Sequence, residues 1–510
     1  MRKTHLYWWF LGILIVFAVY KTWFAKVDDL EVALKLAGAN RRELEKVITH
    51  YKNVDEDKEK LKATQFLISN SIIHASQKTG IRDIYHNSIQ FNPLDYKDFP
   101  SVREAKDSLF KVSQVATIIN YDIQELRSDF LIKHIDRCFK IWRGSPWKDK
   151  IDFDKFCNYI LPYRGTSESI CYWPEELYNK YQNVLDTIQE KTIINTCIAL
   201  NTAIANDISY DNRWVARGLG VQSIHDILET KSGMCDDLTV YGLCVMRSFG
   251  IPVSIDFDIH GRHNYGHSWC VVFDESGDSE SFGPGEQHPG EHKHTFAKSR
   301  YRTLAKVFRK NFSANEDGLY LQVNDENDIP PFFRVRNISD VTKEYIKTYN
   351  IEYMLEQPLS VKQKYLYICV FNNGVWKPVQ WGEISQDHVV FENMGADILY
   401  MIGCFNKKRI YPVSEPFILK TDGSKKFLGT SSVKVSKQFA IKVIKGYEAP
   451  KKNKEYYLYF WENRRWNLSQ TIIVNKDSLL DLANLNKNTL YKFQNFSRPF
   501  TVTDSTFTWW

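Results

Sequence analysis

Residues 232–239 read Ser-Gly-Met-Cys-Asp-Asp-Leu-Thr, a cysteine set two places after a glycine and followed by two acids. Downstream, Leu238, Tyr241, Val245 and Phe249 recur at helical spacing, so Cys235 falls in the first turn of a predicted helix. A helix N-terminus offers free N–H groups and the positive end of the dipole, both of which favour a thiolate. Gly250 ends that helix and Ile251-Pro252 leads into a strand. His267 stands 32 residues after the cysteine, at the head of "HSWCVVF", where strand alternation puts His267, Trp269, Val271 and Phe273 on one side. A cysteine at a helix start facing a histidine on a neighbouring strand is a thiolate–imidazolium arrangement. The imidazolium holds the thiolate ionised, then protonates the leaving group once an acyl carbon has been attacked.

Several elements must position that pair. Residues 27–194 read as helical, with capping-box spacing at Asn40 and Glu43 before a stripe of Leu44, Val47, Ile48 and Tyr51. A second stripe runs through Leu61, Phe66, Leu67 and Ile68, and residues 152–165 predict a short helix stopped by Pro162. From residue 195 to 338 the texture is mixed. A helix over 193–211 is followed by the cysteine helix, then by "IPVSIDFDI" and "HSWCVVF" as antiparallel-type strands, up to the proline pair Pro330-Pro331. The rest is an internal repeat, 339–431 and 432–510. "KYLYICVFNNGVWKPVQW" matches "EYYLYFWENRRWNLSQ" with Trp376 on Trp466, and Pro416-Phe417 falls on Pro499-Phe500. Short strands with Asn/Gly turns predict a small β-sandwich for each copy.

The cysteine region resembles the transglutaminase-like superfamily. Its signature is a Gly-x-Cys at a helix start, Arg-x-x-Gly-Ile-Pro after that helix and His-x-Trp on the next strands. Arg247-Ser248-Phe249-Gly250-Ile251-Pro252 and His267-Ser268-Trp269 match it in order and spacing. The resemblance implies a papain-like core using a Cys-His-Asp triad for acyl transfer or amide hydrolysis. The expected chain is therefore an α+β multidomain protein: an N-terminal helical region, a papain-like transglutaminase core and two C-terminal all-β sandwich-like repeats. The wider arrangement is similar to bacterial cell-envelope proteins carrying this domain. One departure stands out. The family's third residue usually lies in an Asp-Pro pair on the strand after the histidine, and here that place reads Phe282-Gly283-Pro284-Gly285. Glu286 is the nearest acid beyond, with Asp278 and Glu280 before it, and Glu286 is the expected substitute that orients the imidazole.

The remaining features bound the function. Residues 1–26 hold the apolar run "LYWWFLGILIVFAVY" (6–20) behind Arg2 and Lys3, with Asp28, Asp29 and Glu31 after it. The positive-inside rule then predicts a membrane anchor, or a cleaved signal, with the bulk of the chain outside the cytoplasm in the cell envelope. A net charge of +6 over 67 basic and 61 acidic residues is too dilute for a nucleic-acid surface. The nine cysteines include no Cys-x-x-Cys pair. "HPGEHKHTF" (288–296) carries His288, Glu291, His292 and His294 in a Pro-Gly context that reads as a solvated loop, so no metal and no cofactor are expected. The expected function is envelope-located, cysteine-dependent acyl transfer, either amide hydrolysis or transglutamination, on a peptide or protein substrate, with Cys235, His267 and Glu286 at the site. The alternative is an inactive transglutaminase-like scaffold that binds peptide at its surface, or glycan or cell wall through the β-repeats.

Overall fold

In the computed structural model the described residues are 30–52, 58–291, 303–355, 363–429, 431–435, 439–442, 444–445, 450–474, 480–494 and 497–510. The expected anchor, 1–26, lies outside them. Among the described residues no helix is long and apolar enough to cross a membrane, and all nine cysteines are free thiols.

The first stripes fold as α1 (Arg41–Lys52) and α2 (Lys58–Asn70), burying Leu44, Val47 and Tyr51 on one and Leu67 and Ile68 on the other. Asn40 does not cap α1. Its amide donates instead to the carbonyls of Ile123 and Leu126, while Glu43 accepts from the Ser128 amide and hydroxyl. Residues 27–194 are also not purely helical. β1 (Ala75–Arg82) pairs along its whole length with β2 (Gln114–Tyr121), and every residue of β2 is exposed. The 194/195 boundary separates no cores: one cluster runs from Ala33 through α3 (Ser128–Gly144), α4 (Pro174–Tyr181) and α5 (Ile193–Asp207) to Phe312.

At the centre of that cluster is α6 (Cys235–Ser248). It packs on a five-stranded antiparallel sheet ordered β7-β6-β3-β4-β5: β3 (Val253–Ile259), β4 (Gly266–Phe273), β5 (Ser279–Phe282), β6 (Val307–Lys310) and β7 (Ile338–Asp340). β7 straddles the expected 338/339 boundary, because the chain returns after Pro330-Pro331 to pair with β6. Tyr345 follows it into the core, its hydroxyl donating to Asp256 at 2.7 Å and accepting from the Trp269 indole at 2.9 Å.

The C-terminal repeat is explicit in the backbone. β8 (Tyr365–Asn372) and β9 (Val375–Glu383) form one hairpin; β11 (Glu455–Glu462) and β12 (Arg465–Ile473) form the other. Both have a register shift four residues in, at Ile368/Cys369 and Leu458/Tyr459. Both turn through two positive-φ residues, Asn373-Gly374 and Asn463-Arg464, which suits a two-residue hairpin. Between them in the chain, β10 (Ile398–Asn406) pairs with β8. The tryptophans meet between the copies. Trp376 and Trp461 lie 5.9 Å apart, Trp461 and Trp466 5.1 Å, in a cluster with Leu399, Ile418 and Leu490.

The repeats also grip the β3–β4 loop, residues 260–265. Asn372 is fully buried and donates to the carbonyls of His260, His263 and Tyr265 while accepting from the Tyr265 amide. Arg498, also fully buried, donates to Gly261 O at 2.7 Å, His263 O, Phe371 O and Trp510 O. A Cβ on Gly261 would come within 2.6 Å of Ile398, so glycine is what lets β10 approach. Asn372→Ala removes a donor from the carbonyls of His260, His263 and Tyr265; His263 O keeps Arg498 and Tyr265 O keeps the His260 amide, so the His260 carbonyl loses most, at roughly 1–3 kcal/mol for an unsatisfied group. Hydrogen-exchange mass spectrometry should show faster exchange over 260–267 in this variant with α1 unchanged; equal protection of the loop in both proteins would refute the clamp.

Candidate active site

Cys235 is the first residue of α6, and the sequence around it explains why the helix starts there. The Asp237 carboxylate accepts from the Met234 amide at 2.9 Å, the Gln222 amide at 2.7 Å and the Gln222 side chain at 3.2 Å. It therefore caps the turn that holds the thiol. A Cβ on Gly233 would sit 2.5 Å from the Asp237 Cβ, so the glycine makes room for the cap. Asp236 points the other way and accepts from the Ser268 hydroxyl on β4 at 2.5 Å. One turn on, Thr239 donates to the Cys235 and Ser268 carbonyls. Gly242 lets Pro284 pack on α6, where a Cβ would lie 2.6 Å from the proline ring.

The thiol opens on a cleft of about 910 Å³ whose walls include Cys235, His267 and Glu286, together with Asp258, His260, Ser268 and Lys310. All three expected site residues thus share one cleft. The expected resting thiolate is not what this environment favours. Burial pushes the Cys235 thiol up to about 12 and the Asp236 charge adds to it, against hydrogen bonding from Ser268.

His267 is held by its backbone. β4 faces α6 with Ser268 and Cys270, which meet Thr239. His267 and Trp269 project to the opposite face, their rings 5.7 Å apart; there Trp269 packs with Leu304 and Val307. Glu286 sits in a turn closed by its amide on Gly283 O, and Asn201 from α5 bonds the same turn at Gly283 O, Gly285 N and Gln287 O.

Two functional candidates were missed or undervalued in the sequence. Asp258, buried, lies directly opposite His267 in the β3–β4 ladder and accepts from the His267 amide at 2.9 Å. Its other oxygen pairs with His260 Nδ1 at 2.8 Å. His260–Asp258 is an oriented imidazole–carboxylate pair inside the cleft. Hairpin arithmetic held the signal: a turn centred between 262 and 263 sets 258 against 267. Ser268, the thiol's immediate polar neighbour, had no sequence signal beyond its place in His-x-Trp. Of the 288–296 cluster, His292 and His294 lie outside the described residues; among the described residues no three His, Cys, Asp or Glu side chains gather as a metal site.

No family model matches the chain, and no curated protein matches it. Solved structures do. The "Putative Cysteine Protease from Cytophaga hutchinsonii" aligns at 15% identity and a TM-score of 0.18, over 23% of this chain and 37% of that one. Red sea bream transglutaminase aligns at 11% identity and a TM-score of 0.22, over 84% of this chain and 76% of that one.

Because the Asp236 charge raises the thiol pKa, removing it must lower that pKa and enlarge the thiolate fraction at a fixed pH. Asp236→Asn should speed iodoacetamide alkylation of Cys235 at pH 8, read by peptide mass spectrometry, by roughly three- to tenfold for a neighbouring unit charge. A rate equal to or below that of the unaltered protein would show that Asp236 does not hold the thiol protonated.

Proposed function

We propose that the cleft carries out cysteine-dependent acyl transfer on a peptide or protein amide. Cys235 attacks the acyl carbon, forming the C–S bond; its proton passes to a cleft imidazole and from there to the departing amine as the C–N bond breaks. Water then hydrolyses the thioester, or a second amine takes the acyl group, and the thiol is restored. The motif position assigns His267, whose ring leaves β4 on the face away from α6, and His260–Asp258 is the cleft pair already oriented to act as a base. The single observation that carries this reading is the Cys235 thiol at the first residue of α6, open to a cleft of about 910 Å³ shared with both histidines. Glu286, on the same wall, is the proposed further acid.

A second reading, a binding scaffold that has lost catalysis, is favoured by one observation: a thiol pushed up to about 12 by burial and the Asp236 charge. In that reading the cleft holds peptide without reacting. The tryptophans that would serve glycan stacking are packed between the two repeats, so the cleft is the better place for a ligand. The proposed location is the cell envelope, outside the cytoplasmic membrane, on the strength of residues 1–31 alone.

Peptide vinyl sulfones decide between the two readings. Catalysis requires an adduct on Cys235 in the unaltered chain, none in Cys235→Ser, and labelling slowed by about 100-fold or more when the acting base, His267 or His260, becomes Ala. Labelling no faster than at Cys171, rising only with bulk alkalinity and equal in both histidine variants, would leave the scaffold.

A further inference from the structure

Away from the cysteine cleft, a second cavity of about 410 Å³ opens between the end of α3, the start of α5 and the end of α6. Its rim and walls carry Arg137, Lys140 and Lys191, and no carboxylate lines it. Among the described residues none of the three cations is in an ion pair. The Arg137 guanidinium is laid over the Tyr178 ring, 4.8 Å from its centroid, and Tyr178 packs in turn on Phe249 at 5.0 Å. That stack fixes a planar cation at the wall before any ligand arrives. Arg137 Nε is buried without a hydrogen-bond partner, and so is Thr196 Oγ1 on a residue with no exposed surface. Both residues border the cavity, and a buried polar atom without a partner at its wall calls for one. The remaining wall is apolar, including Ile141, Trp147 and Leu185, and the Trp147 indole is already held by Gly250 O at 2.7 Å.

We propose that this cavity binds a small organic anion, a carboxylate or phosphate head on an apolar body. The head meets Arg137 and Thr196, the lysines set the charge of the mouth, and the body lies against Trp147, Tyr178 and Phe249. The volume is within the usual small-molecule range. The inference is independent of any reaction at Cys235.

The test is a fluorescence titration of the full chain with 8-anilinonaphthalene-1-sulfonate, with decanoate and decyl phosphate as displacing anions and uncharged N-phenyl-1-naphthylamine as control. One saturable site is expected, displaced by decanoate or by decyl phosphate and weakened by salt; the stronger displacer identifies the head group. Affinity should fall roughly tenfold or more in Arg137→Gln, the loss of a charge-assisted contact. It should fall severalfold in Lys140→Gln/Lys191→Gln, whose exposed side chains are not needed for folding, and stay unchanged in Cys235→Ser. If Arg137→Gln does not fold, the double lysine variant decides. Unchanged affinity in the lysine variant, or equal binding of the uncharged dye, would overturn the proposal.

Discussion

The position of the cysteine helix depends on a buried guanidinium that, among the described residues, hydrogen-bonds only to backbone carbonyls. Arg247, at the last turn of α6, donates to the carbonyls of Tyr159, Pro162, Arg164 and Val253. Burial holds it down at about 10, still charged at neutral pH. A buried charge is tolerable only where every donor is met, so the loop at 159–164 has to follow the path that offers those carbonyls. The seam continues through Arg164, whose guanidinium meets Asp122 at 2.6 Å with both side chains buried, and through the Tyr163 hydroxyl donating to Asp122. Asp122 and Arg247, 125 positions apart in sequence, thus share one polar network that ties the N-terminal helices to the core of the sheet. The arginine of the Arg-x-x-Gly-Ile-Pro motif acts as a joint, remote from the thiol it indirectly places.

With α6 fixed at that end, its other end sets two effects against each other at Cys235. A helix N-terminus favours a thiolate by about 0.3–1 kcal/mol, whereas each pH unit of displacement corresponds to about 1.4 kcal/mol. A thiol raised to about 12 is therefore governed by burial and by Asp236, not by the dipole. Asp237 contributes to neither side directly, since its carboxylate is taken up by Gln222 and Met234.

What the sequence made legible follows from periodicity and local chemistry. The cysteine helix, the β3–β4 hairpin and the duplicated hairpins are written in apolar spacing and in Asn/Gly turns, so their positive-φ residues fall where the repeat aligns. The β1–β2 pair was invisible because its strands bury almost nothing. Gln77, Lys78 and Thr79 alternate no apolar face, and Ile118 and Ile119 are adjacent and both exposed. Asn40 satisfied a capping pattern yet bonds a carbonyl 83 residues away, a tertiary demand that no local window contains. The pairing of Asp258 with His260 required the register, and the face taken by His267 required knowing which side of β4 the helix covers.

That last point gives the β-repeats a part in the site. The loop at 260–265 connects Asp258 and His260 to His267, and both repeats bond to it. Asn372 and Arg498, one from each repeat, take its carbonyls, while Asn264 accepts from the Asn373 amide. Among the described residues Arg498 meets no carboxylate, only backbone oxygens, and burial lowers its pKa to about 9. A cation in that state is stable only while all of its carbonyls stay in place. Movement of either repeat therefore costs the loop its shape, and movement of the loop strands the guanidinium. Duplication fits this constraint: the Trp376–Trp461 contact makes the two copies one body, and a single body can hold both clamps in register. The repeats are thus a built support for the histidines of the cleft, a role that a spacer or a separate binding module would not need to fill.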